Sequence, residues 1–321
     1  MKNPVPSVLS GKYMSLAILC SGQAGQQRSM LDGLLAAPEC APVWQAASAA
    51  LGQEVAQWWR NLDDQEIFLN ANAQFAIACY QLATWKRIVH LLPPVSLVAG
   101  YSLGELLAYH VAGALDAAET FRLVRIRAQL MDEAMHGSSG GCMALWRGRV
   151  SPSTMAKREQ LIAEYGLSVA IRRRHGEEVL AGTADAIARF VAELQPMNPN
   201  LLRLPVGIPS HSHHLAAAAD AFRVVLNNSS IAAPQILVLG GVDAAPVRTR
   251  EQAISALSRQ MANTISWDGC METLAESGID KVIELGPGND LAKLLEAGHP
   301  HIAARAVSDF RDYHALADWL V

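Results

Sequence analysis

The sequence predicts an α/β protein: a parallel-sheet core interrupted by a small inserted domain of ferredoxin-like βαββαβ order. Three observations carry this. Short apolar runs alternate with longer amphipathic ones, the pattern of strands feeding helices. A glycine- and serine-rich break at 137–141 changes that rhythm to strand-helix-strand-strand-helix-strand. At Gly207 the strand–helix alternation resumes. The 321 residues suffice for one large domain, 1–136 and 207–321, carrying an insert at 137–206.

In order, the apolar run 16–20 reads as a first buried strand, closed by the turn Gly22-Gln-Ala-Gly25. The spacing of Phe75, Ala78, Leu82, Trp85 and Val89 predicts a helix over 71–91. A second buried strand, 95–99, runs into Gly100-Tyr-Ser-Leu-Gly104, and Asp116 with Glu119 makes a capping-box-like start for a helix through 135. In the insert, strands are predicted at 142–146, 167–172, 178–182 and 201–205, with helices at 153–165 and 184–194. The tight connection at His175-Gly176 joins the middle pair. Beyond it, helices are expected at 213–227, 249–261 and 268–277 and strands at 236–239 and 281–285. The last strand ends at Gly286-Pro-Gly288, before a helix from Asn289.

Composition excludes several classes. A chain 51% hydrophobic and 17% charged buries enough surface to offset its ordering entropy, so disorder is excluded. A net charge of −4 and a pI near 6.2 argue against a nucleic-acid partner. No apolar run approaches the ~20 residues that span a bilayer, so no membrane role is expected. Met14 to Cys20, after Lys2 and Lys12, resembles a signal-peptide core, but a glycine/glutamine turn follows it instead of a cleavage site. Five scattered cysteines without a CxxC pair indicate neither zinc nor disulfides. The expectation is a cytoplasmic protein with no metal.

Gly100-Tyr101-Ser102-Leu103-Gly104 fits GxSxG between a predicted strand and a predicted helix, the context in which that motif lifts a nucleophilic serine to the edge of a sheet. The following helix aims free N–H groups at the same point, where an oxyanion would form. An ordinary strand–helix turn containing serine is the alternative. A neutral serine needs a base. His211, in Gly207-Ile-Pro-Ser-His-Ser212, lies where the chain returns from the insert, with His213 and His214 beside it. Spacing alone does not choose among the three, nor exclude helix-start polar residues without chemistry.

Taken together, several motifs resemble the malonyl-CoA:acyl-carrier-protein transacylases. Ser21-Gly-Gln-Ala-Gly-Gln26 is similar to their GQGxQ motif, and Gly100-Tyr-Ser-Leu-Gly-Glu105 to their GHSLGE elbow. Arg125-Ile-Arg127-Ala-Gln-Leu-Met131 is similar to their arginine helix, Pro209-Ser-His211-Ser to their histidine loop, and Gln260 and Glu284-Leu-Gly-Pro-Gly288 to later signatures. The resemblance covers about residues 15 to 295 and implies a hydrolase-like α/β core with a ferredoxin-like insert. It implies Ser102 as nucleophile, His211 as general base, and the backbone N–H groups of Gln23 and Leu103 as oxyanion hole. Arg127 would hold the malonyl carboxylate, and Gln260 would support the histidine. Without the resemblance, Arg127 reads as a surface cation paired with Asp132 or Glu133.

The implied reaction moves malonyl from a coenzyme A thioester to the phosphopantetheine-type thiol of an acyl carrier protein, with no permanently bound cofactor. Departures from the housekeeping enzyme of fatty-acid synthesis are Ser21 for proline, Ala24 for glycine and Tyr101 for histidine. These look more like the epsilon (malonyltransferase) subunit of malonate decarboxylase, whose carrier bears a phosphoribosyl-dephospho-CoA group. The housekeeping transacylase is the alternative, and an α/β-hydrolase thioesterase or esterase, with a base such as His299, a further one. Arg172, Arg173 and Arg174 stand where the family has an asparagine-containing strand; they read either as a solvated face or as a phosphate- or carrier-recognising cluster.

Overall fold

The computed structural model describes residues 14–23, 25–136 and 140–321. Residues 137–139 of the expected break, and Ala24 of the first turn, lie outside the described residues. Along the chain the strands are β1 (Leu16–Cys20), β2 (Val95–Gly100), β3 (Gly141–Trp146), β4 (Ser168–Arg172), β5 (Glu178–Thr183) and β6 (Leu202–Leu204), followed by β7 (Leu237–Gly240), β8 (Ala245–Val247), β9 (Ile265–Ser266), β10 (Lys281–Glu284) and β11 (Ala303–Ala306).

Six of them form one sheet in the order β11-β10-β1-β2-β7-β8, parallel except for β8 at the edge. β1 reads Leu-Ala-Ile-Leu-Cys and is buried along its whole length, as a central parallel strand covered on both faces must be. From β1 the chain proceeds outward through β2 and β7, then returns to β1's other side with β10. That reversal opens a crevice beyond the carboxyl ends of β1, β2 and β10, where α/β sheets place their ligands.

Side-chain alternation sorts the core into layers. Ile18, Val98, Val238 and Ile283 point into a cluster with Phe75, Leu106 and Phe121 of three covering helices, Asn70–Ile88, Leu103–Val111 and Ala117–Ala134. Ala17, Leu19, Leu97, Ala99 and Leu239 point the other way, against Met143, Leu145, Ile171 and Val179 of a second sheet. That sheet runs β6-β3-β5-β4-β9. Its far face, with Cys142, Ala144, Trp146 and Leu180, packs on Leu161, Ile187 and Phe190 of the helices Pro152–Glu164 and Ala184–Leu194. Neighbouring strands are antiparallel except for β9, which arrives from residues 265–266 and pairs parallel to β4.

Most element boundaries fall within two residues of expectation, and the differences have local causes. The helix expected over 71–91 ends at Ile88 and continues as a 3-10 turn, Val89–Leu91, because Pro93 disfavours helical geometry at the residue before it. Asp116 does cap the next helix, its carboxylate accepting from Glu119 N at 2.8 Å. The helix expected from residue 213 begins as a 3-10 turn, His213–Leu215, ahead of Ala216–Asn227.

Candidate active site

Ser102 sits between β2 and the helix Leu103–Val111 with φ 57° and ψ −113°, which a non-glycine residue seldom adopts. The glycines on either side permit it. A Cβ at position 100 would lie 2.2 Å from Glu105 N, and one at position 104 would lie 2.0 Å from the carbonyl oxygen of Cys20. Both positions therefore exclude a side chain. Tyr101 N donates to that same carbonyl at 2.9 Å, which ties the turn to the end of β1. Leu103 opens the helix, so its N–H has no acceptor within it.

His211 also has a positive φ, 59°, and its N–H donates to Met261 O at 2.9 Å. This backbone turn brings Nε2 to 2.8 Å from Ser102 Oγ. Nδ1 meets the carbonyl oxygen of Gln260. A carbonyl can only accept, so Nδ1 carries the proton and Nε2 presents its lone pair to the serine. The Gln260 side chain donates from Nε2 to Ser102 O at 2.9 Å, so one residue touches both partners. Burial pushes the His211 pKa down to about 3, partly opposed by the Gln260 carbonyl and assisted by the Arg127 charge. The imidazole is thus neutral across physiological pH. His213 and His214 stack on each other with ring centroids 4.1 Å apart, and His299 bonds Arg174; it is His211 that faces the serine.

Arg127 is buried, 1% exposed, and is no surface cation. Its Nη1 donates to Gln74 Oε1 at 2.6 Å, while Nε and Nη2 have no hydrogen-bond partner among the described residues. Burial pushes its pKa down to about 10, with the Glu105 charge opposing, so it remains a cation at neutral pH. Glu105 is buried too: its Oε2 accepts from Gly241 N at 3.1 Å, and burial pushes the carboxyl up to about 8. One carboxamide joins these parts. Asn70 Oδ1 accepts from Gln74 Nε2 at 2.7 Å and from Gln23 Nε2 at 3.2 Å. Its Nδ2 donates to Ala128 O at 3.2 Å and Asp132 Oδ1 at 3.0 Å, on the helix that carries Arg127.

A cavity of about 280 Å³ opens over the serine, between the two sheets, with Gln23, Ser102 and His211 at its wall. A family model described as "Acyl transferase domain" matches residues 18–314. The chain belongs to the acyl transferase domain family. It is similar to the malonyl CoA-acyl carrier protein transacylase of Haemophilus influenzae, 28% identical over 314 residues that cover 95% of this chain and 99% of the relative. Among solved structures, it resembles a malonyl-transacylase in complex with a type II polyketide synthase acyl-carrier protein. That likeness has a TM-score of 0.86 and 28% identity over 95% of this chain and 99% of the other. The acyl-carrier-protein S-malonyltransferase of Burkholderia pseudomallei gives a TM-score of 0.84 and 29% identity over 96% and 99%.

In this acyl transferase the residues expected from sequence gather at one place. Ser102, His211 and Gln260 are joined by hydrogen bonds, Leu103 follows the serine, and Gln23 faces the cavity. Arg127 lies deeper, near enough for its charge to act on His211. The arginine run divides. Arg172 is exposed, Arg174 pairs with Glu272 at 3.2 Å, and Arg173 lines the cavity while pairing with Asp290 at 2.7 Å. Sequence reasoning missed Asn70 and Gln74. Two amides four residues apart on one helix face are their only signal.

Proposed function

We propose that this acyl transferase is a malonyl-CoA:acyl-carrier-protein S-malonyltransferase working by two-step exchange. The reading rests on one arrangement: Ser102 Oγ 2.8 Å from a neutral, oriented His211 Nε2, with a buried Arg127 whose charge acts on that histidine and whose Nε and Nη2 have no partner among the described residues. His211 takes the serine proton as Oγ attacks the thioester carbonyl. The N–H groups of Gln23 and Leu103 stabilise the resulting oxyanion, each such donor contributing about 3–4 kcal/mol. The C–S bond then breaks and the coenzyme A sulfur takes the proton from His211. A carrier thiol reverses the sequence, giving its proton to His211 and leaving with the malonyl group. Arg127 offers Nε and Nη2 as a two-toothed partner for the free carboxylate.

The similarity to malonyl CoA-acyl carrier protein transacylases supports the ordinary acyl carrier protein as acceptor, so the housekeeping transacylase takes first place over the malonate decarboxylase subunit. The latter retains only the wording of residues 21–26 and Tyr101 in its favour. The division into a body at 1–136 and 207–321 and a ferredoxin-like insert at 137–206 belongs to the same reading. Its support is the order β6-β3-β5-β4 with both helices on one face. The cytoplasmic location expected from the sequence belongs to it as well; among the described residues no helix is long and apolar enough to cross a membrane.

Intact-mass measurement tests the proposal. The wild type should gain one malonyl group from malonyl-CoA and lose it to a phosphopantetheine-bearing carrier faster than to water; Ser102→Ala should gain none. A covalent adduct on that variant removes the nucleophile assignment, and rapid hydrolysis without a carrier favours the esterase reading. Preferential transfer to a carrier with the phosphoribosyl extension restores the malonate decarboxylase assignment.

A further inference from the structure

The cavity wall facing the serine is the inner face of the second sheet, and its character changes along its length. Because side chains alternate along a strand, Met143, Leu145 and Arg147 share one face of β3 and its continuation, as Ile171 and Arg173 do on β4 and its continuation; all five line the cavity. Trp146 and Arg172 both pair with Glu178 from opposite sides of β5, so Arg147 and Arg173 emerge at the same end of the sheet. At the other end, Gly141 abuts Pro209, the first residue of the histidine loop, with a Cβ at position 141 lying 1.9 Å from the proline ring. From Gly141 to Arg147 is roughly 20 Å of strand. The lane is apolar near the reacting groups and cationic at its far end.

The two cations are not equally neutralised. Arg173 is 7% exposed, holds Asp290, and has Glu177 at 3.8 Å. The nearby Glu178 is engaged by Arg158. Arg147 makes no ion pair among the described residues, and the Nε atoms of both arginines are buried without a hydrogen-bond partner. Burying such a donor unpaired costs free energy that an incoming anion recovers.

We propose that Arg147, with Arg173 beside it, binds the phosphate at the end of a pantetheine arm lying along this lane, the group common to coenzyme A and a carrier's prosthetic arm. The inference rests on the malonyl-transfer reading and names the part of the substrate that the reacting residues do not touch.

Single-turnover acylation of Ser102 tests it with two donors, malonyl-CoA and malonyl-pantetheine, which lacks the phosphate. Arg147→Ala should lower kcat/KM about 10- to 100-fold for malonyl-CoA and leave malonyl-pantetheine unchanged, which also serves as the check on folding. Arg147→Lys should recover part of the loss. On the acceptor side, transfer to a phosphopantetheine-bearing carrier should slow while transfer to free pantetheine does not. A loss confined to donor or acceptor identifies which phosphate is read. Equal losses with and without the phosphate, or no loss at all, overturn the proposal. If Arg147→Ala is insoluble, Arg147→Gln is measured in the same way. If the wild type accepts malonyl from neither donor, the malonyl reading fails instead. Calorimetric binding of coenzyme A to wild type and variant then decides the phosphate site: equal affinity overturns it, and weaker binding by the variant supports it.

Discussion

If malonyl transfer proceeds as proposed, replacing Arg127 by alanine should separate binding of the acyl carboxylate from the acyl-transfer chemistry itself. In the wild type, Gln74 holds Nη1 and leaves the Nε–Nη2 edge free, which matches the width of one carboxylate. Two charge-assisted hydrogen bonds at about 1.5–3 kcal/mol each contribute about 3–6 kcal/mol to a malonyl transition state. At about 1.4 kcal/mol per decade, their loss lowers kcat/KM for malonyl-CoA roughly 10²- to 10⁴-fold. Acetyl-CoA has no carboxylate and leaves the guanidinium unpaired in the wild type, so Arg127→Ala should keep or gain acetyl transfer. The assay is the ratio of kcat/KM for malonyl-CoA and acetyl-CoA, taken from Ser102 acylation. A ratio in the variant within about threefold of wild type, far below the loss worked out above, would refute the carboxylate-clamp reasoning.

Four further outcomes follow from the same geometry. Because burial holds the His211 pKa near 3, kcat/KM should stay flat from pH 8 down to about 5, where an ordinary imidazole loses about tenfold per unit below 6.5; a break near pH 6.5 contradicts this. The folded state then binds fewer protons than the unfolded between pH 6.5 and about 3. Stability should therefore fall as pH drops through that window, less steeply in His211→Gln, as read by chemical denaturation. Asn70→Ala leaves Gln23 and Gln74 without their shared acceptor and should slow both malonyl and acetyl acylation by about 5- to 100-fold; an effect on malonyl alone would show that Gln23 is positioned by other means. Gly104→Ala puts a methyl group against the Cys20 carbonyl and should cost at least about 3 kcal/mol of stability, and a melting temperature equal to wild type counts against the close packing of the elbow.

The sequence was most legible where one residue's character settles the outcome. The apolar run of β1, the cap at Asp116 and the serine between two glycines each have local causes, and each appears where it was expected. Pairing across long distances was not legible. β9 is two residues long and exists because Ile265 and Ser266 meet β4, nearly a hundred residues earlier. β8, with Pro246 at its centre, carries no strand signal of its own and is tolerated at a sheet edge. The choice among three histidines depended on a backbone angle at His211 that no spacing encodes. Asn70 and Gln74 escaped notice because amides on a helix are unremarkable until their partners are known.

β9 has one more consequence. Its main-chain pairing joins a segment of the returning chain to the edge of the sheet that roofs the serine. A clamshell motion that lifted this roof would have to break that ladder and tear Ile265 from the core between the sheets. Widening the groove by that motion therefore costs main-chain hydrogen bonds as well as apolar contact, and a thioester that reaches Ser102 with the roof in place must slide in lengthwise, acyl end first, as a key enters a lock barrel. An acyl chain's bulk is tested during that passage, before any bond is made.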